Sequence, residues 1–410
     1  MLRNKLIQTI IYADLALIGL GATAVALTNQ ELKKYQQNTD SLSEKTVNIE
    51  NELIAQNNFE NKKTPSLEDI LQENKVNMHY VLRDIETKQI PVLMFHNIDY
   101  RENRYTISPN NFRVLLEKLH ENNFYSVTLQ EYINADFAHI PIGKKPILFT
   151  FDDSTLGQFK IDDIGNICRN SAVGILNEFY ENNDFGKGAV FYVSLGSQNN
   201  FQLPFYQDAH VTEKLRYLVD SPFEIGYHTH NHANNTQATK NNIKEQEIML
   251  KAIFHHYLGD EYFNKMTQNQ PNSFAHPFGA TPQNDTVYQD LINRYDVVFR
   301  AWGGFSNHPL SRKFNEKEIP RRETTLQNID YVINSINTYK ITEDSKKYYS
   351  IKKSYEQNRF PNNDLLTLMP SITNTRIYEE TDEFTIQNEL KNKDSRIVIE
   401  DKLRGIRITN

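Results

Sequence analysis

Pro146-Ile147-Leu148-Phe149-Thr150-Phe151-Asp152-Asp153 is the stretch on which the reading of this chain turns. An apolar run without polar alternation suits a strand buried on both faces, as in a parallel sheet covered by helices. Neighbouring side chains in a strand point to opposite faces, but the chain turns at a strand's end, so Asp152 and Asp153 can both reach one pocket. Two adjacent carboxylates repel unless a cation neutralises one; a metal on one leaves the other available as a base. Taken alone, the pair reads more simply as an acidic loop.

The same pattern extends to either side. Ile90 to Phe95 is a second buried-strand run, ending at His96. Ser108-Pro109 then supplies an N-cap and an N1 proline, with Phe112, Leu115, Leu116 and Leu119 at helical spacing. After Asp153 come a helix carrying Ala172, Ile175, Leu176 and Phe179, and strands at Ala189–Val193, Phe223–Tyr227, Phe274-Ala275 and Val297–Phe299. Helical patterns through Ile243, Leu250, Ile253, Phe254 and Tyr257, and through Val287, Leu291 and Tyr295, separate the later strands. Strands alternating with amphipathic helices over 88–325 predict an α/β barrel or an open doubly wound sheet. Asp152, Asp153, His228, His276 and His96 all follow strands, which is the pattern of a site rim.

His228 and His232 lie four apart in His228-Thr229-His230-Asn231-His232, so one helical turn or a tight loop brings their rings together. Two His and one Asp make a three-ligand set with open positions for water and substrate, the catalytic pattern of a metal site. A surface His-rich loop is the plainer alternative.

Composition narrows the classes. The 410 residues carry a net charge of −7 with no basic block, which argues against a nucleic-acid partner. Cys168 is the one cysteine, so neither an intrachain disulfide nor a CxxC-type zinc site can form. Hydrophobic residues make up 39% of the chain, low for a compact globule, and imply solvated segments. Residues 1–28, with Arg3 and Lys5 before the apolar Leu15–Leu27 and the small Ala24-Val25-Ala26, read as a signal peptide or membrane anchor. That places the protein outside the cytoplasm: in a periplasm, at the cell surface, or held to the membrane if the segment is uncleaved. Residues 29–87 read as a polar spacer and 326–410 as an extension of unknown role, with a hairpin around Gly405.

Thr150-Phe151-Asp152-Asp153 and His228-Thr229-x-x-His232 resemble the first two motifs of the polysaccharide deacetylases, carbohydrate esterase family four, with its NodB-homology domain. Val92–His96 with Ser108-Pro109-x-x-Phe112 resembles the entry strand and helix of bacterial members, and Phe274–Gly279 their third motif. The resemblance covers residues 88–325. It implies a distorted seven-stranded (β/α) barrel and one divalent ion, zinc first, with cobalt, nickel or iron(II) as alternatives. Asp153, His228 and His232 would be its ligands and Asp152 the general base. Phe278, after Pro277, would donate a backbone N–H to the oxyanion, with His276 in the substrate-binding group and Thr229 supporting the loop. The implied reaction is hydrolysis of N-acetyl groups on an extracytoplasmic glycan.

The sequence departs from the family in several places. Asn272 stands where an arginine often orients the base; Arg321 or Arg322 could replace it from another strand, and Arg322 is the residue assigned here. Ser154 replaces a glycine, and His276 stands where tyrosine is common. The late Leu-x-Leu-His string is Leu366-Thr367-Leu368-Met369, without its histidine, so His96 is placed first as proton donor, ahead of His276 and His308. An O-acetyl esterase uses the same site. A carbohydrate-binding protein on a degenerate barrel is the non-enzymatic alternative, and retention of Asp152 counts against it.

Overall fold

The structure, a computed structural model, describes residues 65–359 apart from 198 and 199. The expected leader or anchor, most of the spacer and the expected hairpin around Gly405 lie outside the described residues. Among the described residues no helix is long and apolar enough to cross a membrane.

The core is one parallel sheet. Its strands are β1 (Val92–Phe95), β2 (Phe124–Ser126), β3 (Lys145–Asp152), β4 (Ala189–Val193), β5 (Phe223–Tyr227), β6 (Ser273–Ala275), β7 (Val297–Phe299) and β8 (Arg322–Glu323). Seven run in the order β7-β6-β5-β4-β3-β1-β8, and the short β2 pairs with the start of β3. Register is fixed by Val92 opposite Leu148, Thr150 opposite Val190, Phe223 opposite Ala189, Tyr227 opposite Phe274 and Arg322 opposite Leu93. The sheet curls until one segment meets both edges. The Val298 and Arg300 N–H groups donate to the Glu316 and Ile319 carbonyls (2.8 and 2.9 Å), while Thr324 N–H donates to the Met94 carbonyl (3.1 Å).

Strand alternation divides the apolar run from Pro146 to Phe151. Ile147, Phe149 and Phe151 face the outer helices, packing with Phe112, Leu115 and Leu176. Leu148 faces inward, with Val190, Tyr192, Phe299 and Ile319. A period of two therefore sends Thr150 and Asp152 inward as well. The outer layer includes α3 (Pro109–Glu121), α5 (Ala172–Asn182), α6 (Val211–Asp220), α7 (Lys240–Asn269) and α8 (Asp285–Ile292). Ser108 caps α3 by accepting the Asn111 N–H, and Phe112, Leu115, Leu116 and Leu119 form its buried stripe, as their spacing predicts. Gly259, at φ 72°, breaks α7 and lets it continue in a new direction.

The boundaries at 88 and 325 need correction at both ends. Two helices, α1 (Leu67–Glu73) and α2 (Met78–Thr87), fall in the expected spacer, yet Leu67, Leu71, Val81, Leu82 and Ile85 are buried in the inner core. In the expected extension, α9 (Glu343–Arg359) packs on α1 and α2, burying Tyr348, Tyr349 and Tyr355 in the same core. His308, one of the expected proton donors, is buried there too, hydrogen-bonded to the Tyr349 hydroxyl and the Leu310 N–H. These short amphipathic segments are diluted by Asn, Lys and Glu, and their apolar faces register only against the sheet.

Glu224 of β5 is buried, and its carboxylate accepts backbone N–H groups from Leu129 and Gln130 at the start of α4 (Leu129–Asn134). Burial pushes this carboxyl from an ordinary 4.5 up to about 8, with the two donors opposing the shift. A raised folded-state value means the fold favours the protonated form. That stabilisation is complete below about pH 4.5 and is lost as pH rises towards 8. Melting curves of wild type and Glu224→Gln between pH 5 and 9 check this. The wild-type Tm should fall relative to the variant as pH rises, and parallel curves would refute it.

Candidate metal centre

Asp152 ends β3 on the inner face, where it meets Arg321, the residue before the edge strand β8. The guanidinium grips both carboxylate oxygens, Nη1 to Oδ1 at 2.6 Å and Nη2 to Oδ2 at 2.7 Å, and both side chains are buried. Arg321 also donates to Thr150 Oγ1 (3.1 Å) and, through Nε, to the Arg300 carbonyl (2.8 Å). Burial by itself would raise the Asp152 carboxyl, but Arg321, with His228 and His96 nearby, outweighs it and holds the group below its ordinary value. The result is a desolvated, ionised and oriented carboxylate. The expectation for Arg322 is corrected here: adjacent strand residues face opposite ways, and Arg322 points outward, its guanidinium 4.1 Å from the Tyr331 ring centre. Asn272, at the family's usual arginine position, holds the Arg294 carbonyl and the Asp296 carboxylate instead.

Asp153 lies beyond the strand with φ 77° and faces the two histidines. Its Oδ1 is 3.4 Å from His228 Nε2 and 3.1 Å from His232 Nε2, and one ligand atom from each of the three residues lies within 4.8 Å of the others. His228 Nδ1 is 2.8 Å from the Ala275 carbonyl, which can only accept, so Nδ1 carries a proton and Nε2 is the nitrogen turned to Asp153. An imidazole lone pair and a buried carboxylate oxygen that face each other require positive charge between them, from a second proton or a metal ion. Asp153, His228 and His232 thus form a group that fits a metal ion. Burial opposes ionisation of Asp153, but the facing imidazoles hold it well below its ordinary value.

The loops carrying these residues are strained. Of the ten non-glycine residues with positive φ among the described residues, seven surround the site: Asp153, Ser154, Phe205, Tyr206, Thr229, His232 and Phe278. Such conformations cost about 1–3 kcal/mol each and persist where surrounding contacts enforce them. Ser154, in place of a glycine, is held by its hydroxyl on the Ser194 carbonyl (2.8 Å) and by its own carbonyl, which accepts the Phe205 N–H (2.8 Å). Thr229 Oγ1 accepts the Ala233 N–H at 2.8 Å and so fixes the turn between the two histidines.

Phe278 packs edge-on against His232 with ring centres 4.2 Å apart and remains 62% exposed. Pro277 is buried beside it. His276 lies beneath the site: it is 1% exposed, against Phe274 and Tyr288, and therefore does not line a surface that substrate reaches. Burial, with Arg321 and His228 nearby, pushes it down to about 3, so its ring is neutral. His96 sits at the rim with its ring against Tyr105. Gln158 escaped the sequence reading, yet its amide donates to the carbonyls of both His96 and Asp152, tying the ends of β1 and β3 together. Nothing in its sequence neighbourhood marks that role.

No protein-family model matches the chain. Over 155 residues it is 27% identical to a C2 domain-containing protein of Plasmodium falciparum, a match covering 35% of this chain and 8% of that protein's length. Among solved structures it is similar to the Streptococcus pyogenes deacetylase PplD in complex with acetate, at 20% identity and a TM-score of 0.43, covering 60% of this chain and 99% of that one. A polysaccharide deacetylase from Bacillus cereus aligns at 21% identity and a TM-score of 0.43, over 60% of this chain and 69% of that one. IcaB from Ammonifex degensii aligns at 20% identity and a TM-score of 0.42, over 60% of this chain and 97% of that one.

Proposed function

We propose that this chain is a metal-dependent hydrolase of the polysaccharide deacetylase type, built on a distorted seven-stranded barrel, that removes N-acetyl groups from a glycan outside the cytoplasm. The observation that carries the reading is the division of labour between two neighbouring carboxylates. Asp153 faces His228 and His232, whereas Asp152 is kept apart by its two-pronged bond to Arg321. A module that only binds a metal or a sugar has no use for a second buried carboxylate held ionised beside the first.

Asp153, His228 and His232 would hold one divalent ion, zinc being the best suited to this donor set, and such an ion supplies Lewis acidity to a carbonyl and acidifies a nearby water. Asp152 takes the proton from the water that attacks the acetyl carbon. Arg321 keeps that carboxylate oriented throughout. The Phe278 backbone N–H donates to the developing oxyanion. Cleavage of the C–N bond yields acetate and a free amine, and His96 delivers the proton the departing nitrogen needs. In this reading residues 1–28 carry the enzyme to the cell envelope as signal or anchor.

Acetate release from acetylated oligosaccharides, measured with zinc, with cobalt and after chelation, tests the proposal. Metal-dependent release from N-acetyl substrates is expected. Release from O-acetyl substrates alone would reassign the enzyme as an esterase, and one bound metal with no acetate from any substrate would favour the binding protein.

A further inference from the structure

Lys214, on α6, is fully buried, and its ammonium lies 5.9 Å from the ring centres of both Phe159 and Phe205. Among the described residues it donates to the Phe205 carbonyl at 3.0 Å and forms no ion pair. Burial pushes the amine from an ordinary 10.5 down to about 7, with Glu213 of the same helix opposing the shift. A cation desolvated in this way, without a carboxylate against it, costs the fold energy.

What the cation holds is a strained turn. Phe205 and Tyr206 have φ of 61° and 54°, conformations that persist only where surrounding contacts enforce them. Phe205 is gripped from both sides: its N–H donates to the Ser154 carbonyl at 2.8 Å, and its carbonyl accepts from Lys214. Ser154 follows Asp153 directly, and both have positive φ themselves. Gln207 then exchanges two hydrogen bonds with the Ile161 backbone, each 2.8 Å, closing the turn on the loop that follows Asp153. Tyr206 comes close enough to Asp153 that the carboxylate's charge adds to burial in raising its hydroxyl.

We infer that Lys214 is a positioning residue for the metal centre: its grip on the Phe205 carbonyl enforces the turn that, through the Ser154 carbonyl, sets where Asp153 stands. The inference rests on the reading of Asp153, His228 and His232 as metal ligands. Lys214→Met keeps nearly the length of the side chain, removes the buried charge and releases the Phe205 carbonyl. Metal binding and stability should therefore part company in this variant. A lowered folded-state value means that the fold favours the neutral amine. The wild-type cost is thus complete below about pH 7 and disappears as pH rises towards the ordinary 10.5.

The test compares the full chain of wild type and Lys214→Met by three measurements. Amide hydrogen exchange of the metal-free protein should rise at least about tenfold in peptides containing Phe205, Tyr206 and Ile161, and stay unchanged elsewhere. Zinc affinity, read by competition with a chromophoric chelator, should fall about tenfold, the lower end of what losing an outer support of a metal ligand costs. The Tm should be unchanged or raised at about pH 7, with any gain shrinking towards about pH 10. A lowered Tm with exchange raised throughout would make Lys214 a core residue only and overturn the inference. Unaltered exchange at Phe205 and Ile161, or unaltered zinc affinity, overturns it as well. Failure of the metal reading shows separately: wild type that takes up no zinc defeats the metal centre, while loosening confined to Phe205, Tyr206 and Ile161 still upholds the grip of Lys214 on the loop.

Discussion

Arg321→Met is expected to destabilise the protein by about 3–5 kcal/mol, because it leaves the Asp152 carboxylate buried with no compensating charge. Both side chains of the pair are nearly inaccessible, at 0% and 3%, so water cannot take over the lost contacts. The double variant Arg321→Met/Asp152→Asn should recover much of the loss, since removing both charges removes the desolvation problem with them. Arg321→Lys should fail to rescue activity: an ammonium cannot span both oxygens while also holding Thr150 and the Arg300 carbonyl. Chemical denaturation of the three variants measures the effect. A single variant as stable as wild type would show that the pair is not what fixes Asp152.

Asp152→Asn is expected to reduce acetate release by about 10²–10⁴-fold while leaving the metal in place. The amide keeps the shape of the carboxylate but cannot accept a proton, and it turns one donor group towards the Arg321 guanidinium, so a modest loss of stability should accompany the change. Asp153→Asn should behave differently, weakening metal affinity first and activity as a consequence. Steady-state kinetics over a range of added zinc separate the two. Excess zinc should restore Asp153→Asn in part and Asp152→Asn not at all. Zinc rescue of Asp152→Asn would exchange the roles assigned to the two carboxylates.

The Asp153, His228 and His232 group, which could hold a metal, was legible because its members sit on local signals. Asp153, with Asp152 before it, terminates an apolar run, and His228 and His232 share one turn after the next strand but one in the chain. Arg321 was legible only as one of two adjacent arginines. The choice between them depends on the register of β8 against β1, where Arg322 faces Leu93 on the helix side. That pairing joins segments more than two hundred residues apart. The inward helices α1, α2 and α9 were lost in their polar surroundings. Each has only about one or two apolar residues per turn, enough to pack into the inner core and too few to announce a helix alone. Gln158 and Tyr206 gave no signal, since their importance comes from where strained turns place them.

The most direct measurement is zinc content per chain, determined by elemental analysis after dialysis, for wild type, Asp152→Asn and His228→Ala. One zinc is expected in wild type, one in Asp152→Asn and none in His228→Ala, with acetate release at full rate in wild type alone. Loss of zinc from Asp152→Asn, or its retention in His228→Ala, would contradict the division between ligand and base on which the proposed mechanism depends.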